Sequence, residues 1–219
     1  MGKIAVCLSG CGVKDGSEIH EATAALWAIT KYGHSYQCIA PDKPQHYVIN
    51  HLKDEPVKGE TRNILAESAR IARGNILSLS KVNADDYDAL VFPGGLGAAL
   101  NLCNFAQKGE ECDIDPDVEK LILSFHEKGK PICAICIAPS IVARAFKGRK
   151  SVTLTIGNDA ATAAKLQKMG ARHQKCPVTE AYTDKENKII TTPAYMLATS
   201  IGEVFTGVEA AIKALCELL

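Results

Sequence analysis

Charge of one sign, long apolar runs and paired metal-ligand motifs are all missing from this chain, and each absence closes off a class of function. Its 25 lysines and arginines balance 25 aspartates and glutamates, so nothing provides the basic footprint that nucleic-acid binding needs. No run reaches the roughly 18 apolar residues of a membrane span. The opening stretch, Met1-Gly2-Lys3-Ile4-Ala5-Val6-Cys7, reads as a strand and not as an export signal. No closely spaced cysteine pair is answered by a second pair or by a histidine pair, which argues against a zinc module. No glycine-rich loop ends in Lys-Ser or Lys-Thr to cradle nucleotide phosphates. Neither a metal nor another cofactor is therefore expected, and neither nucleic acid nor a membrane is expected as a partner. No linker, repeat or low-complexity tract interrupts residues 1–219, which read as one domain.

What is present fits a globular α/β protein. Apolar residues make up 47% of the chain and charged residues 23%, ordinary values for a packed domain of this size. Nine cysteines, odd in number and irregular in spacing, read as reduced thiols in a cytosol-like compartment. An organelle interior, after removal of a transit peptide, is the alternative.

Strand-like and helix-like segments alternate. Strands are expected at residues 3–9, 36–40, 88–92, 132–136 and 152–156. Helices are expected at 18–32, 60–73, near 98, at 118–127, behind Cys136, at 160–169 and from about 196 to 218. Residues 179–183 and 188–192 flank Asp184-Lys185-Glu186-Asn187, a hairpin signal. Such alternation points to a mostly parallel sheet covered on both faces, with ligands at the carboxyl ends of its strands.

Three loops fall at that end. Ser9-Gly10-Cys11-Gly12-Val13-Lys14-Asp15-Gly16-Ser17-Glu18 is glycine-rich and closes on a carboxylate at a helix start. Pro93-Gly94-Gly95 lets the backbone approach a ligand and offers N–H groups to an oxyanion. Pro131-Ile132-Cys133-Ala134-Ile135-Cys136-Ile137-Ala138-Pro139 is an apolar run that ends in cysteine and passes at once into a helix, the shape of a nucleophile elbow. A helix start favours an anionic sulfur, so the Cys136 thiol is expected to have a lowered pKa. A thiolate, an oxyanion nest and a carboxylate suffice for attack on a carbonyl and for proton transfer beside it.

Ala134-Ile135-Cys136-Ile137-Ala138-Pro139, Phe92-Pro93-Gly94-Gly95 and Gly16-Ser17-Glu18 resemble the signatures of the ThiJ/PfpI branch of the class I glutamine amidotransferase-like superfamily. Leu8 to Val13, Glu18-Ile19-His20-Glu21-Ala22, Glu60-Thr61-Arg62-Asn63 and Thr191-Thr192-Pro193-Ala194-Tyr195-Met196 further resemble its ElbB-type isoprenoid biosynthesis subfamily. The resemblance spans nearly the whole chain. It implies a flavodoxin-like three-layer α/β/α sandwich and a homodimer. It implies Cys136 as nucleophile, Glu18 as its acidic partner, and the backbone N–H groups of Gly95 and Ile137 as the oxyanion site. It also implies a glutathione-independent glyoxalase activity, turning small 2-oxoaldehydes such as methylglyoxal and glyoxal into 2-hydroxy acids. Gly94, Cys11, Arg62 and Tyr195 are candidates for lining the substrate site.

Two features depart from that pattern. Glutamine hydrolysis would need a Gly-x-Cys-x-Gly elbow and a downstream His-x-Glu, whereas Ala134 and Ala138 flank this one and Gln174-Lys175 follow His173. Nor does any histidine lie between Cys136 and His173, so the third member of a Cys–Glu–His set is missing or comes from elsewhere.

Blander readings stand beside these. Cys136 reads equally as a core thiol when taken alone, and Glu18 as a simple helix-start acid. Cys133-x-x-Cys136 invites a thioredoxin-like reading, but Cys133 lies inside the strand, and the odd spacing sends the two side chains to opposite faces. Arg62, Asn63 and Glu67 read as a solvated helix face. His20, two residues from Glu18, does not share its helical face. The functional alternatives to the glyoxalase are a non-catalytic redox or stress sensor using Cys136 oxidation, and an accessory factor in isoprenoid biosynthesis.

Overall fold

The computed structural model describes all of residues 1–219. In chain order the elements are β1 (Lys3–Cys7), α1 (Ile19–Lys31), β2 (Ser35–Ala40), β3 (Ile49–Asn50), β4 (Glu55–Pro56), α2 (Ile64–Ile71), β5 (Ile76–Ser78), β6 (Ala89–Phe92), α3 (Leu96–Leu100), α4 (Phe105–Lys108), α5 (Pro116–Glu127), β7 (Ile132–Ile135), α6 (Pro139–Phe146), β8 (Thr153–Leu154), α7 (Ala160–Lys168), β9 (Arg172–His173), β10 (Tyr182–Asp184), β11 (Ile189–Thr192) and α8 (Ile201–Cys216). The principal sheet runs β10-β11-β7-β6-β1-β2-β5. All its pairs are parallel except β10 with β11, the hairpin that Asp184–Asn187 turns. The architecture is the flavodoxin-like sandwich expected.

Strand periodicity divides the core in two. Ala5, Cys7, Leu90, Phe92, Ile132 and Ala134 face one layer, and Ile4, Val6, Ala89, Val91, Cys133 and Ile135 face the other. Both faces of these strands are apolar, as parallel strands between two helical layers must be. On the second face α1 and α8 pack against each other, bringing Ala25, Ile29, Val204, Val208 and Ile212 into one cluster.

The chain leaves β1 toward β2 on one side, while β6 continues to β7 on the other, so strand order reverses between β1 and β6. That crevice is where an open parallel sheet accepts ligands. The loops after β1, β6 and β7 meet there.

Element boundaries differ from expectation for local reasons. The helix expected from residue 60 begins at Ile64, because Asn63 caps it by accepting from the Ala66 N–H (3.0 Å). The last helix begins at Ile201 behind a Ser200–Glu203 capping box, and residues 194–196 form a separate 3₁₀ turn. The strand expected at 152–156 leaves the main sheet: β8 pairs with β9 in a two-stranded piece. The strand β5 and the small hairpin β3–β4 are too short to show a period in sequence. No helix is long and apolar enough to cross a membrane.

Candidate active site

Cys136 follows β7 directly and has φ 61°, a left-handed conformation that a non-glycine residue adopts at a cost of about 1–3 kcal/mol. Its N–H donates to Thr192 O (2.9 Å), which extends the β7–β11 ladder by one residue and pins the turn. Strand alternation would send residue 136 to the face of Ile132 and Ala134, yet its side chain joins the cluster of Cys133 and Ile135. The positive φ accounts for this, and it corrects the opposite-face argument made for Cys133 and Cys136. Both thiols are free, and Cys133 is wholly buried inside the strand.

The glycine turn is required by close approach. A Cβ on Gly94 would stand 2.5 Å from Cys136 Cβ and 2.5 Å from Glu21 Oε2. Gly95 has φ 93°, and a Cβ there would strike the backbone of Gly16 and Glu18. Only glycines let this turn wedge between the elbow and the start of α1. The N–H groups of Gly95 and Ile137 face the Cys136 sulfur and favour its charged form.

The carboxylate that meets the sulfur is Glu21, a residue that motif reading passed over. Its carboxyl and the Cys136 side chain flank the same point on Gly94, and, after burial, its charge is what raises the Cys136 thiol most. Oε2 accepts from the Gly94 N–H (3.0 Å) and Oε1 from the Tyr195 N–H (3.2 Å). Glu21 is wholly buried. Burial, followed by the charge of Glu18, pushes its pKa up to about 8, against the pull of those donors.

Glu18, expected as the acidic partner, occupies the N-cap of α1. Its Oε2 accepts from the Glu21 N–H (2.8 Å), and its own N–H donates to Gly94 O (2.9 Å). Glu18 thus lies beside the site, one helical turn away from the sulfur contact. A carboxylate on the buried stripe of α1, with Ala25 and Ile29 at four-residue intervals after it, was the available signal.

The lowered thiol pKa is also corrected. Burial, then the charge of Glu21, raises the Cys136 thiol well above its usual value, and the Gly95 and Ile137 N–H groups only partly offset this. The helix start contributes little, because Pro139 at the first position of α6 carries no N–H. Burial penalises either charge, and two charges together most of all. The resting pair is therefore a thiol and a carboxylic acid. Glu21 is the first of the two to lose its proton, and burial together with its charge holds the thiol up.

Tyr195, a candidate for lining the substrate site, is tied to Glu21 through its backbone. Its N–H binds Glu21, and its Oη lies 2.7 Å from His20 Nδ1, which is itself 3.8 Å from Glu18 Oε1. Glu18 is non-helical (φ −66°, ψ 124°), which is why it reaches a residue two positions on. Cys11 and Arg62 belong to a different cluster. The Cys11 thiol is half-buried, its pKa raised by burial and by Glu67. Arg62 pairs with Glu60 (2.6 Å) and Glu67 (3.4 Å). No hydrogen bond or ion pair joins either residue to Cys136 or Glu21. His173 Nε2 accepts from the Ile156 N–H (3.4 Å), turned toward β8.

Surface clefts do not reach the sulfur. One of about 350 Å³ lies between Leu79, Val82 and the α5 residues Lys120 and Leu121, and none has Cys136 or Glu21 in its wall. With Cys136 only 7% exposed, access is limited to small molecules. No group of three or more His, Cys, Asp or Glu side chains is arranged to hold a metal ion.

The model of the DJ-1/PfpI family matches residues 12–192. Among curated proteins, the chain is 44% identical to human glutamine amidotransferase-like class 1 domain-containing protein 3, mitochondrial, over 99% of this chain and 83% of that one. It is likewise 44% identical to the rat ES1 protein homolog, mitochondrial, over 99% and 84%. Among solved structures, an isoprenoid biosynthesis protein with amidotransferase-like domain from Ehrlichia chaffeensis superposes with a TM-score of 0.93 at 37% identity, covering 99% of this chain and 100% of that one. Drosophila DJ-1beta, at 19% identity and a TM-score of 0.57, covering 99% and 97%, shares the fold.

Proposed function

The chain belongs to the DJ-1/PfpI family, and from that premise we propose that it is a glutathione-independent glyoxalase acting on small 2-oxoaldehydes, with Cys136 as nucleophile and Glu21 as the proton carrier. The observation that carries this reading is the Cys136–Glu21 pair: a wholly buried carboxyl beside a buried thiol under the Gly94 turn, where burial pushes the acid up to about 8 and the Gly95 and Ile137 N–H groups face the sulfur. An acid–base group titrating near neutral pH suits proton transfer in both directions.

The singly ionised pair is the reacting form. Glu21 takes the thiol proton as the sulfur adds to the aldehyde carbon and passes it to the carbonyl oxygen, giving a hemithioacetal. Glu21, again a carboxylate, removes the hydrogen of the former aldehyde carbon as a proton and returns it to the neighbouring ketone carbon, while the hydroxyl proton of the first carbon passes to the oxygen of the second. The first carbon is oxidised to a thioester and the second reduced to a hydroxyl-bearing carbon. Water cleaves the thioester, releasing the 2-hydroxy acid and the Cys136 thiol. The N–H groups of Gly95 and Ile137 stabilise oxygen charge in these steps, a contribution of about 3–4 kcal/mol per donor in comparable sites.

The test is consumption of methylglyoxal by purified protein without glutathione, with lactate as product. Cys136→Ala should abolish it, and Glu21→Gln should slow it by about 10²–10⁴. Absence of turnover by the unaltered protein would refute the proposal. The alternative is a sensor role through oxidation of Cys136, and turnover of methylglyoxal by the unaltered protein decides between the two. Glutamine hydrolysis is disfavoured by the orientation of His173. The name of the Ehrlichia protein offers isoprenoid metabolism as a setting, without a residue of this chain that selects it. The proposal includes a homodimer and a reducing compartment for its nine free cysteines, either the cytosol or the interior of an organelle such as the mitochondrion named for the relatives.

A further inference from the structure

A thioester on Cys136 needs a second proton-transfer group, since Glu21 is buried against the sulfur and water must be activated from outside. The rim of the site contains one imidazole. Gly94 O accepts from the Glu18 N–H (2.9 Å), and Gly94 N–H donates to Glu21 Oε2 (3.0 Å). Glu21 Oε1 accepts from the Tyr195 N–H (3.2 Å), and Tyr195 Oη lies 2.7 Å from His20 Nδ1. Glu18 Oε1, 3.8 Å from that same nitrogen, closes the ring of contacts. Every link joins His20 to groups that touch the sulfur or the glycine turn beside it.

We propose that His20, oriented by Tyr195 and Glu18, is the base that activates the water in hydrolysis of the Cys136 thioester. Two oxygens face Nδ1, one of them a carboxylate, so the network favours Nδ1–H and leaves the lone pair on Nε2. The His20 side chain is 46% exposed, which leaves its outer edge open to water. His20 contacts Tyr195 and Glu18 and makes no hydrogen bond to Cys136 or Glu21, so its place is in the second half of the reaction, where water enters from the rim. In that half, Nε2 takes a proton from water and hydroxide oxygen bonds to the thioester carbon. The tetrahedral adduct then expels the Cys136 sulfur, and the proton taken up by His20 returns to the Cys136–Glu21 pair through water. Glu18 stabilises the transient imidazolium. The two acids of α1 thereby divide the work: Glu21 serves the sulfur and Glu18 the histidine. The missing downstream histidine is replaced by one from the first helix.

This inference rests on the nucleophile reading above, and the experiment separates the two. p-Nitrophenyl acetate acylates a reactive cysteine and releases nitrophenol in a burst, and steady-state release then reports deacylation. His20→Asn keeps a donor to Tyr195 and removes the outer nitrogen. The burst should be unchanged and steady-state release should fall by about 10² or more. Added imidazole should restore release in His20→Ala. With methylglyoxal, His20→Asn should accumulate the lactoyl adduct of Cys136 in intact-mass spectra. Unchanged release in His20→Asn, or a burst and release that fall together, would overturn the inference while leaving the nucleophile reading intact. Absence of a Cys136-dependent burst in the unaltered protein would overturn both.

Discussion

Replacing Glu21 by glutamine changes stability in a pH-dependent way whose sign follows from the site. In the folded protein the carboxyl accepts two backbone N–H groups, from Gly94 at 3.0 Å and Tyr195 at 3.2 Å, while its proton is available to the Cys136 sulfur. A carboxylic acid can do all three, because its hydroxyl oxygen also accepts. An amide nitrogen cannot accept, so Glu21→Gln leaves one buried N–H without a partner, a cost of about 1–3 kcal/mol. Ionisation opposes this. The carboxyl rises from 4.5 to about 8 on folding, so between those values the folded state holds a proton that the unfolded state has released. Stability of the unaltered protein from this group is complete below pH 4.5. It then falls by about 1.4 kcal/mol per pH unit as pH rises toward 8. Glutamine carries no such penalty. The variant should be less stable than the parent near pH 5, and the gap should close by about 2–3 kcal/mol by pH 7, vanishing or reversing. Urea denaturation of both proteins at pH 5, 6, 7 and 8 measures this directly, and groups common to both cancel in the difference. A stability difference that stays constant or widens across that range would refute the protonated, buried state assigned to Glu21.

Other outcomes follow from the same geometry. Alkylation of Cys136 by iodoacetamide should be slow at neutral pH and accelerate only in alkaline solution, because burial and the charge of Glu21 hold its thiol up; fast labelling that is independent of pH from 6 to 9 would contradict the raised thiol. Glu18→Gln should cost turnover at least tenfold less than Glu21→Gln, since a glutamine oxygen can still cap α1; equal losses in initial-rate assays would return the sulfur-side role to Glu18. Gly94→Ala should abolish turnover and Cys136 labelling together, because its Cβ would stand 2.5 Å from both reacting side chains. Asp184→Ala removes the buried acceptor of the Thr153 N–H (2.7 Å) and of the Asn187 amide (2.7 Å). It should cost on the order of 2–4 kcal/mol, seen as a lower midpoint in thermal unfolding with the burst kinetics of Cys136 unchanged below that transition.

The fold was largely legible because its strongest signals are periodic and local. Apolar strands such as Ile132–Ile135 and amphipathic helices such as Ile19–Lys31 announce themselves, and their alternation implies a parallel sheet. What escaped depends on contacts distant in sequence. The strand Ile76–Ser78 is defined by pairing with Cys38–Ala40, and three residues show no period of their own. The segment 152–156 looked like a sheet strand by composition, yet Thr153–Leu154 pairs with Arg172–His173.

The site shows the same division more sharply. Cys136, Gly94, Gly95 and Ile137 were identifiable because an elbow and a glycine turn are local backbone devices, and each φ and close approach follows from a few adjacent residues. The choice between Glu18 and Glu21 was not local. Both lie in Gly-Ser-Glu-Ile-His-Glu-Ala, and a helix-start acid is the ordinary reading of the first. The choice turns on which carboxylate stays in the cap and which is carried one turn inward, under the glycine turn and onto the sulfur. Burial at that inner position raises Glu21 enough to keep its proton near neutral pH, while the outer Glu18 caps the helix and lies beside His20. An acid that must hold and release a proton belongs where charge is costly, and one that must steady a cation belongs where charge is tolerated. On that ground the proposed reaction assigns the inner carboxylate to moving a proton between two carbons, and the outer one to a histidine facing water.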